Sequence, residues 1–138
     1  MADDTTKGHA VIAAMTGSET RIWTMWTDLD DPNVVVVNHG SARKHRRAVV
    51  ESRANETGVG DIPYFLDVSN ALSSANSIIM LGHGTGSSNI ARAFVGWVHV
   101  HVPALWGRIA RVDDCDIPAL TDSQLRDLGR RIWRAQGA

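Results

Sequence analysis

The stretch Ile78-Ile79-Met80-Leu81-Gly82-His83-Gly84-Thr85-Gly86-Ser87-Ser88-Asn89 decides how the rest of the chain is read. Ile78 to Leu81 is a purely apolar run of strand length, the pattern of a strand buried on both faces. Gly82 to Ser88 follows as a small-residue loop. Beyond it, Ile90, Ala91, Phe94, Val95 and Val98 recur at spacings of three and four, which gives a helix one apolar face. Ser87 or Ser88 offers a hydroxyl to cap that helix. A buried strand that turns through glycines into a helix is a building unit of α/β folds.

Working upstream, Pro63 opens a helix to about Ala75, with Phe65, Leu66, Val68 and Leu72 as its buried set. Before it, residues 38–61 are polar and basic, then rich in Gly, Asn and Glu. This stretch is too long for an ordinary connection, and long loops in compact domains are functional or disordered. Ala42 to Ala54 is a helix candidate within it. Val34 to Val37 is a third strand whose unbroken apolar run predicts a central position in the sheet. Asp28 to Asn33, with Pro32, is a turn cluster. His9 to Met15 and Thr20 to Trp26 read as two strands joined by Thr16-Gly17-Ser18, a β-hairpin. Residues 1–8 read as a flexible leader.

Downstream, the end of the 90s helix is open, because Trp97 to Val102 alternates like a strand; Pro103 stops either form. Leu105 to Val112 is the fifth strand candidate, and Asp113 to Leu120 reads as a loop containing Pro118. Thr121-Asp122-Ser123-Gln124 fits a capping box, and Leu125, Leu128 and Ile132 form the stripe of a final helix with an Arg-rich end. Gly129 costs that helix about 1 kcal/mol by propensity. The order β-β-β-α-β-α-β-α predicts an α/β fold with a mixed five-stranded sheet, in a single domain over residues 9–138. The ribonuclease H-like architecture has this order.

The chain has 138 residues, of which 43% are hydrophobic and 21% charged, values that exclude a disordered or collagen-like chain. Cys115 is the only cysteine, which excludes an internal disulfide and fits a reducing compartment. The polar, acidic N-terminus is unlike a signal peptide. The longest apolar runs, Val34 to Val37 and Ile78 to Leu81, fall far short of the roughly 20 residues of a membrane span. A soluble cytoplasmic protein with no membrane partner is expected.

Fourteen Lys and Arg face fifteen Asp and Glu, for a net charge of −1, which excludes a uniformly basic binder of nucleic acid. The distribution is uneven. Arg43-Lys44-His45-Arg46-Arg47 places four cations within five positions, and no acid occurs between Asp31 and Glu51. One reading is a solvated charged face. The other is a phosphate-contacting patch, whose four cations would give RNA affinity a log–log salt slope of roughly −3. Arg108, Arg111, Arg126, Arg130, Arg131 and Arg134 are candidates to extend it.

Other chemistry is weighed on its spacing. Gly82, His83, Gly84, Thr85, Gly86, Ser87 and Ser88 form a candidate phosphate-binding turn, where backbone N–H groups before a helix favour an anion. It lacks the Gly-Lys-Ser/Thr ending of a P-loop, and Ser87 replaces the third glycine of the dinucleotide fingerprint. A two-metal nuclease needs carboxylates converging at strand ends, yet the first strand has no acid, and Asp113, Asp114 and Asp116 are read in a loop. His99 and His101 point about 200° apart on a helix and share a face only on a strand. Neither case brings a third metal ligand, so no metal or other cofactor is expected. No Gly-x-Ser-x-Gly elbow occurs, and Cys115 among three acids is a poor nucleophile.

With these residues in view, the chain resembles the small stand-alone bacterial proteins classed as translational machinery proteins. The resemblance is carried by His9-Ala10-Val11-Ile12, the basic loop after the third strand, Ile78 to Asn89, and Arg108-Ile109-Ala110-Arg111-Val112-Asp113 with Thr121 to Leu125. Those proteins are similar to the middle domain of class-1 release factors and of Pelota, which has a ribonuclease H-like fold. In release factors the loop after the third strand carries Gly-Gly-Gln for peptidyl-tRNA hydrolysis. Residues 38–61 contain no Gln and no paired Gly. Where that family has Lys before the helix, Ser87 stands here. The resemblance therefore implies a partner in the ribosome or a structured RNA, bound without peptide release. Two other readings stand beside it: a nucleotide or phosphate binder using Gly82 to Asn89, and a homo-oligomeric module with some of the five Trp in a subunit contact.

Overall fold

In the computed structural model, which describes residues 9–26, 32–36, 62–84 and 88–137, the chain opens with a hairpin. Strands β1 (Ala10–Met15) and β2 (Glu19–Thr24) pair antiparallel, with Ile12 opposite Trp23. Thr16 shapes the turn. Its hydroxyl accepts from the N–H groups of Ser18 and Glu19, both at 3.2 Å, and donates to the Glu19 carbonyl at 3.1 Å. β3 (Asn33–Val36) then pairs antiparallel with β2.

Two crossovers follow. Helix α1 (Ile62–Leu72) leads to β4 (Ser77–His83), which pairs parallel with β1. Helix α2 (Ile90–His101) and the single turn α3 (Pro103–Trp106) lead to β5 (Ile109–Cys115), parallel to β4. A 3₁₀ turn at Ile117–Ala119 precedes the last helix, α4 (Asp122–Gly137). The strands stand in the order β3-β2-β1-β4-β5, a mixed five-stranded sheet. The expected α/β class and strand count are therefore present.

Alternation along the central strands makes two cores, one on each face of the sheet. Val11, Ala13, Met15, Ile78 and Met80 meet Phe65, Val68 and Leu72 of α1 and Ala91, Phe94 and Val98 of α2. Ile12, Ala14, Trp23, Ile79 and Leu81 face the other way, onto Ile117 and Leu125. β1 and β4 are thus apolar on both sides because both sides are covered. Tyr64 ties α1 to the hairpin. Its hydroxyl donates to the Thr16 carbonyl at 2.9 Å, so the buried Thr20 hydroxyl, 2.7 Å away, is the donor to Tyr64.

Several expectations are corrected. β3 lies at the edge of the sheet, not its centre. Only Val35 packs against a core; Val34 and Val36 are 42% and 45% exposed. Its valines report β propensity, not burial on two faces. The 60s helix ends at Leu72 instead of Ala75, and Arg108 closes it by donating to the carbonyls of Ser73 (2.7 Å) and Ala75 (3.0 Å).

Trp97 to Val102 is helical up to His101, so His99 and His101 part company: His101 lies against Trp97, and His99 against Trp106. Leu105 and Trp106 belong to a helical turn opened by Pro103, and the fifth strand starts only at Ile109. Asp113 to Cys115, read as loop, complete that strand; on an edge strand such charges remain solvated and discourage pairing with another chain. No helix among the described residues is long and apolar enough to cross a membrane.

Candidate functional site

Ligands of open α/β sheets gather beyond the carboxyl ends of the parallel strands, and here those are the ends of β4 and β5. A hollow of about 410 Å³ opens there, lined by His83, Gly84, Asp114, Cys115 and Asp116. Gly82 and His83 belong to β4 itself, and not to the loop after it. Gly84 starts the turn with φ +103°, a conformation that glycine alone adopts at little cost. Ser88 is described, while Thr85, Gly86 and Ser87 lie outside the described residues.

The cap of the following helix is Asn89 instead of Ser87 or Ser88. Asn89 is fully buried and accepts from the Ala91 N–H at 2.9 Å. Its amide donates to Asp114 at 2.7 Å, and Arg92 donates to the same carboxylate oxygen at 3.0 Å. The arrangement explains Gly82, where a Cβ would sit 1.7 Å from the Asn89 side-chain oxygen and 2.5 Å from the Ala91 Cβ. Asn89 therefore cross-links the start of α2 to β5 over a bare backbone.

Two carboxylates line the hollow, Asp114, which is paired with Arg92, and Asp116. Asp116 stands 3.9 Å from His83 and, like it, is exposed. The Cys115 thiol is held above its usual pKa, first by burial, then by the charges of Asp116 and Asp113. It remains protonated at neutral pH, in keeping with a poor nucleophile. Asp113 and Asp114 do not converge: Asp113 pairs with Arg111 at 2.8 Å, while Asp114 turns to α2. No group of three His, Cys, Asp or Glu able to hold a metal ion occurs among the described residues.

The basic cluster Arg43, Lys44, His45, Arg46 and Arg47 lies outside the described residues, which bracket it with the end of β3 at Val36 and the start of α1 at Ile62. The arginines proposed to extend it are divided. Arg111 is paired with Asp113, and Arg108 is turned inward onto carbonyls. Arg126 is buried within α4. Arg130 donates to the Met25 carbonyl at 2.6 Å and stands 3.8 Å from Asp127. Arg131 and Arg134 are exposed.

The sequence offers the five Trp only collectively, as candidates for a subunit contact or for stacking, with no single one assigned. Trp23 is buried in the α4-side core, whereas Trp26, three positions on, is 56% exposed. Alternation puts the two on opposite faces, but which face is covered could not be read from the sequence. No protein-family model matches the chain, and no curated protein or solved structure matches it.

Proposed function

We propose that this chain is a noncatalytic protein that associates with the ribosome or a structured RNA, in a cytoplasmic setting, and grips phosphates through Arg43, Lys44, His45, Arg46 and Arg47. The observation that carries the reading is the segregation of charge. Four cations fall within five positions of a chain whose net charge is −1, with no acid from residue 32 to residue 50. The folded body adds weight. Arg21, Arg92 and Arg111 of that body are matched by carboxylates, while the densest run of cations in the sequence is residues 43–47. The order β-β-β-α-β-α-β-α, one of the features that carry the likeness to the release-factor and Pelota middle domain, is also the order of the described elements, with extra helical turns at α3 and at Ile117–Ala119. The absence of Gly-Gly-Gln from the sequence directs the proposal to binding instead of peptide release.

The test is co-sedimentation with ribosomes across a salt series, comparing wild type with R43A/K44A/R46A/R47A. The proposal expects a log–log slope of roughly −3 that collapses in the variant. No binding at low salt, or equal binding by the variant, contradicts it.

A further inference from the structure

We infer that Trp26 is a stacking platform for one unpaired RNA base, with Arg134 beside it to meet the adjoining phosphate. The inference rests on the RNA-binding reading above and assigns it a second contact besides the basic cluster.

Trp26 follows the end of β2 and leaves more than half of its surface in water, 56%, while Trp23 is 2% exposed. Singly exposed apolar residues are ordinary on protein surfaces, but an indole offers a ligand a large, rigid apolar face with a polar edge. Two guanidinium groups lie over this ring, Arg134 at 5.2 Å and Arg130 at 5.8 Å from its centroid, so that a base would stack on the indole together with a guanidinium plane. They differ in freedom. Arg130 is anchored to the Met25 carbonyl, whereas no carboxylate among the described residues pairs with Arg134. A hollow of about 250 Å³ opens beside the ring, lined also by His9, Ala10, Thr24 and Met25. An aromatic face, a guanidinium plane and adjacent polar groups are the elements that hold a splayed base.

The surround favours a base over a protein side chain. Among the described residues, the groups about the ring include guanidinium, imidazole and hydroxyl, and Met25, the large apolar residue lining the hollow, is itself buried. The other exposed aromatic patch, Trp106 with His99 and Val100, lacks such a cation, since Arg108 beside it is committed to carbonyls. Asp28, Asp30 and Asp31 follow Trp26 in the chain, within about 18 Å by contour. Their charge opposes a run of phosphates. Stacking must therefore supply most of the affinity at this contact.

The experiment is fluorescence anisotropy of a labelled oligouridylate with the full chain, over a salt series. W26A should weaken binding about 10-fold with an unchanged salt slope, and W26F should retain most of the affinity. R134A should reduce the slope by about 0.7. Photocrosslinking of a 4-thiouridine oligonucleotide to wild type should label Trp26, which guards against a misfolded variant. If R43A/K44A/R46A/R47A loses binding while W26A matches wild type, the stacking site is overturned and the basic-cluster reading stands. Loss in W26A with no change in the quadruple variant supports the stacking site and overturns the basic cluster. Unchanged RNA affinity in W26A with altered oligomeric state by light scattering assigns the ring to a protein contact and overturns the inference. A wild type that binds neither oligonucleotide nor ribosome overturns both.

Discussion

A methyl group at residue 82 has no room, because the Asn89 side chain occupies the space above that backbone. G82A must push Asn89 off its cap or away from Asp114. We expect a loss of about 1–3 kcal/mol, the usual cost of overpacking, read as a lower midpoint in urea denaturation. The neighbouring Cys115 makes a prediction of opposite reach, on chemistry and pH. Its pKa is raised by burial, Asp116 and Asp113 in that order, so the folded state favours the neutral thiol. Stability from this group is whole below the ordinary thiol pKa and is lost as pH rises through the elevated one. Alkylation of the native protein should be slow at pH 7 and should accelerate only at a pH above that for free cysteine. Rapid labelling at neutral pH would contradict the stated environment. Gly82 was visible in the sequence as part of a glycine turn. Its reason was not, because the partner lies on α2 and the third member on β5.

At the scale of elements, α4 shows why propensity alone misleads. Gly129 costs a helix about 1 kcal/mol against Ala, so a surface view predicts that G129A stabilises. In the fold, a Cβ there would meet three side-chain carbons of Ile12 at 2.6–2.8 Å. We expect G129A to destabilise by about 1–3 kcal/mol, and to become neutral or stabilising when Ile12 is also changed to Ala. A double-mutant cycle by denaturation measures the coupling; additive effects would contradict close packing of α4 on β1. The legible elements were those with covered faces: the runs of β1 and β4 and the stripe of α4 carry their burial in their periodicity. β3 was misread because four valines look alike at an edge and at a centre. β5 was cut short because acids on an edge strand resemble acids in a loop. α3 was hidden because a single turn gives periodicity nothing to repeat.

At the scale of the whole molecule, the two candidate sites belong to different parts of the chain. The hollow beyond β4 and β5 has Asp114, paired with Arg92, and Asp116 on its rim. The RNA-binding proposal gives this hollow no ligand, so a thermal-shift panel of nucleotides and inorganic phosphate should leave the melting temperature flat at millimolar concentrations. A ligand at 100 times its Kd would add about 2.7 kcal/mol, and such a shift would restore the phosphate-binding alternative. The positive charge is concentrated instead between β3 and α1, in residues 43–47. That part of the candidate site was legible in sequence as composition, since clustering of cations needs no tertiary structure to be seen. Trp26 was not, because its exposure depends on how the end of β2 meets α4. The account turns on the basic cluster, and ribosome co-sedimentation against salt tests it most directly. It predicts binding at low salt that falls with a slope of roughly −3 and is lost in R43A/K44A/R46A/R47A. Binding by that variant equal to wild type at every salt concentration would contradict it.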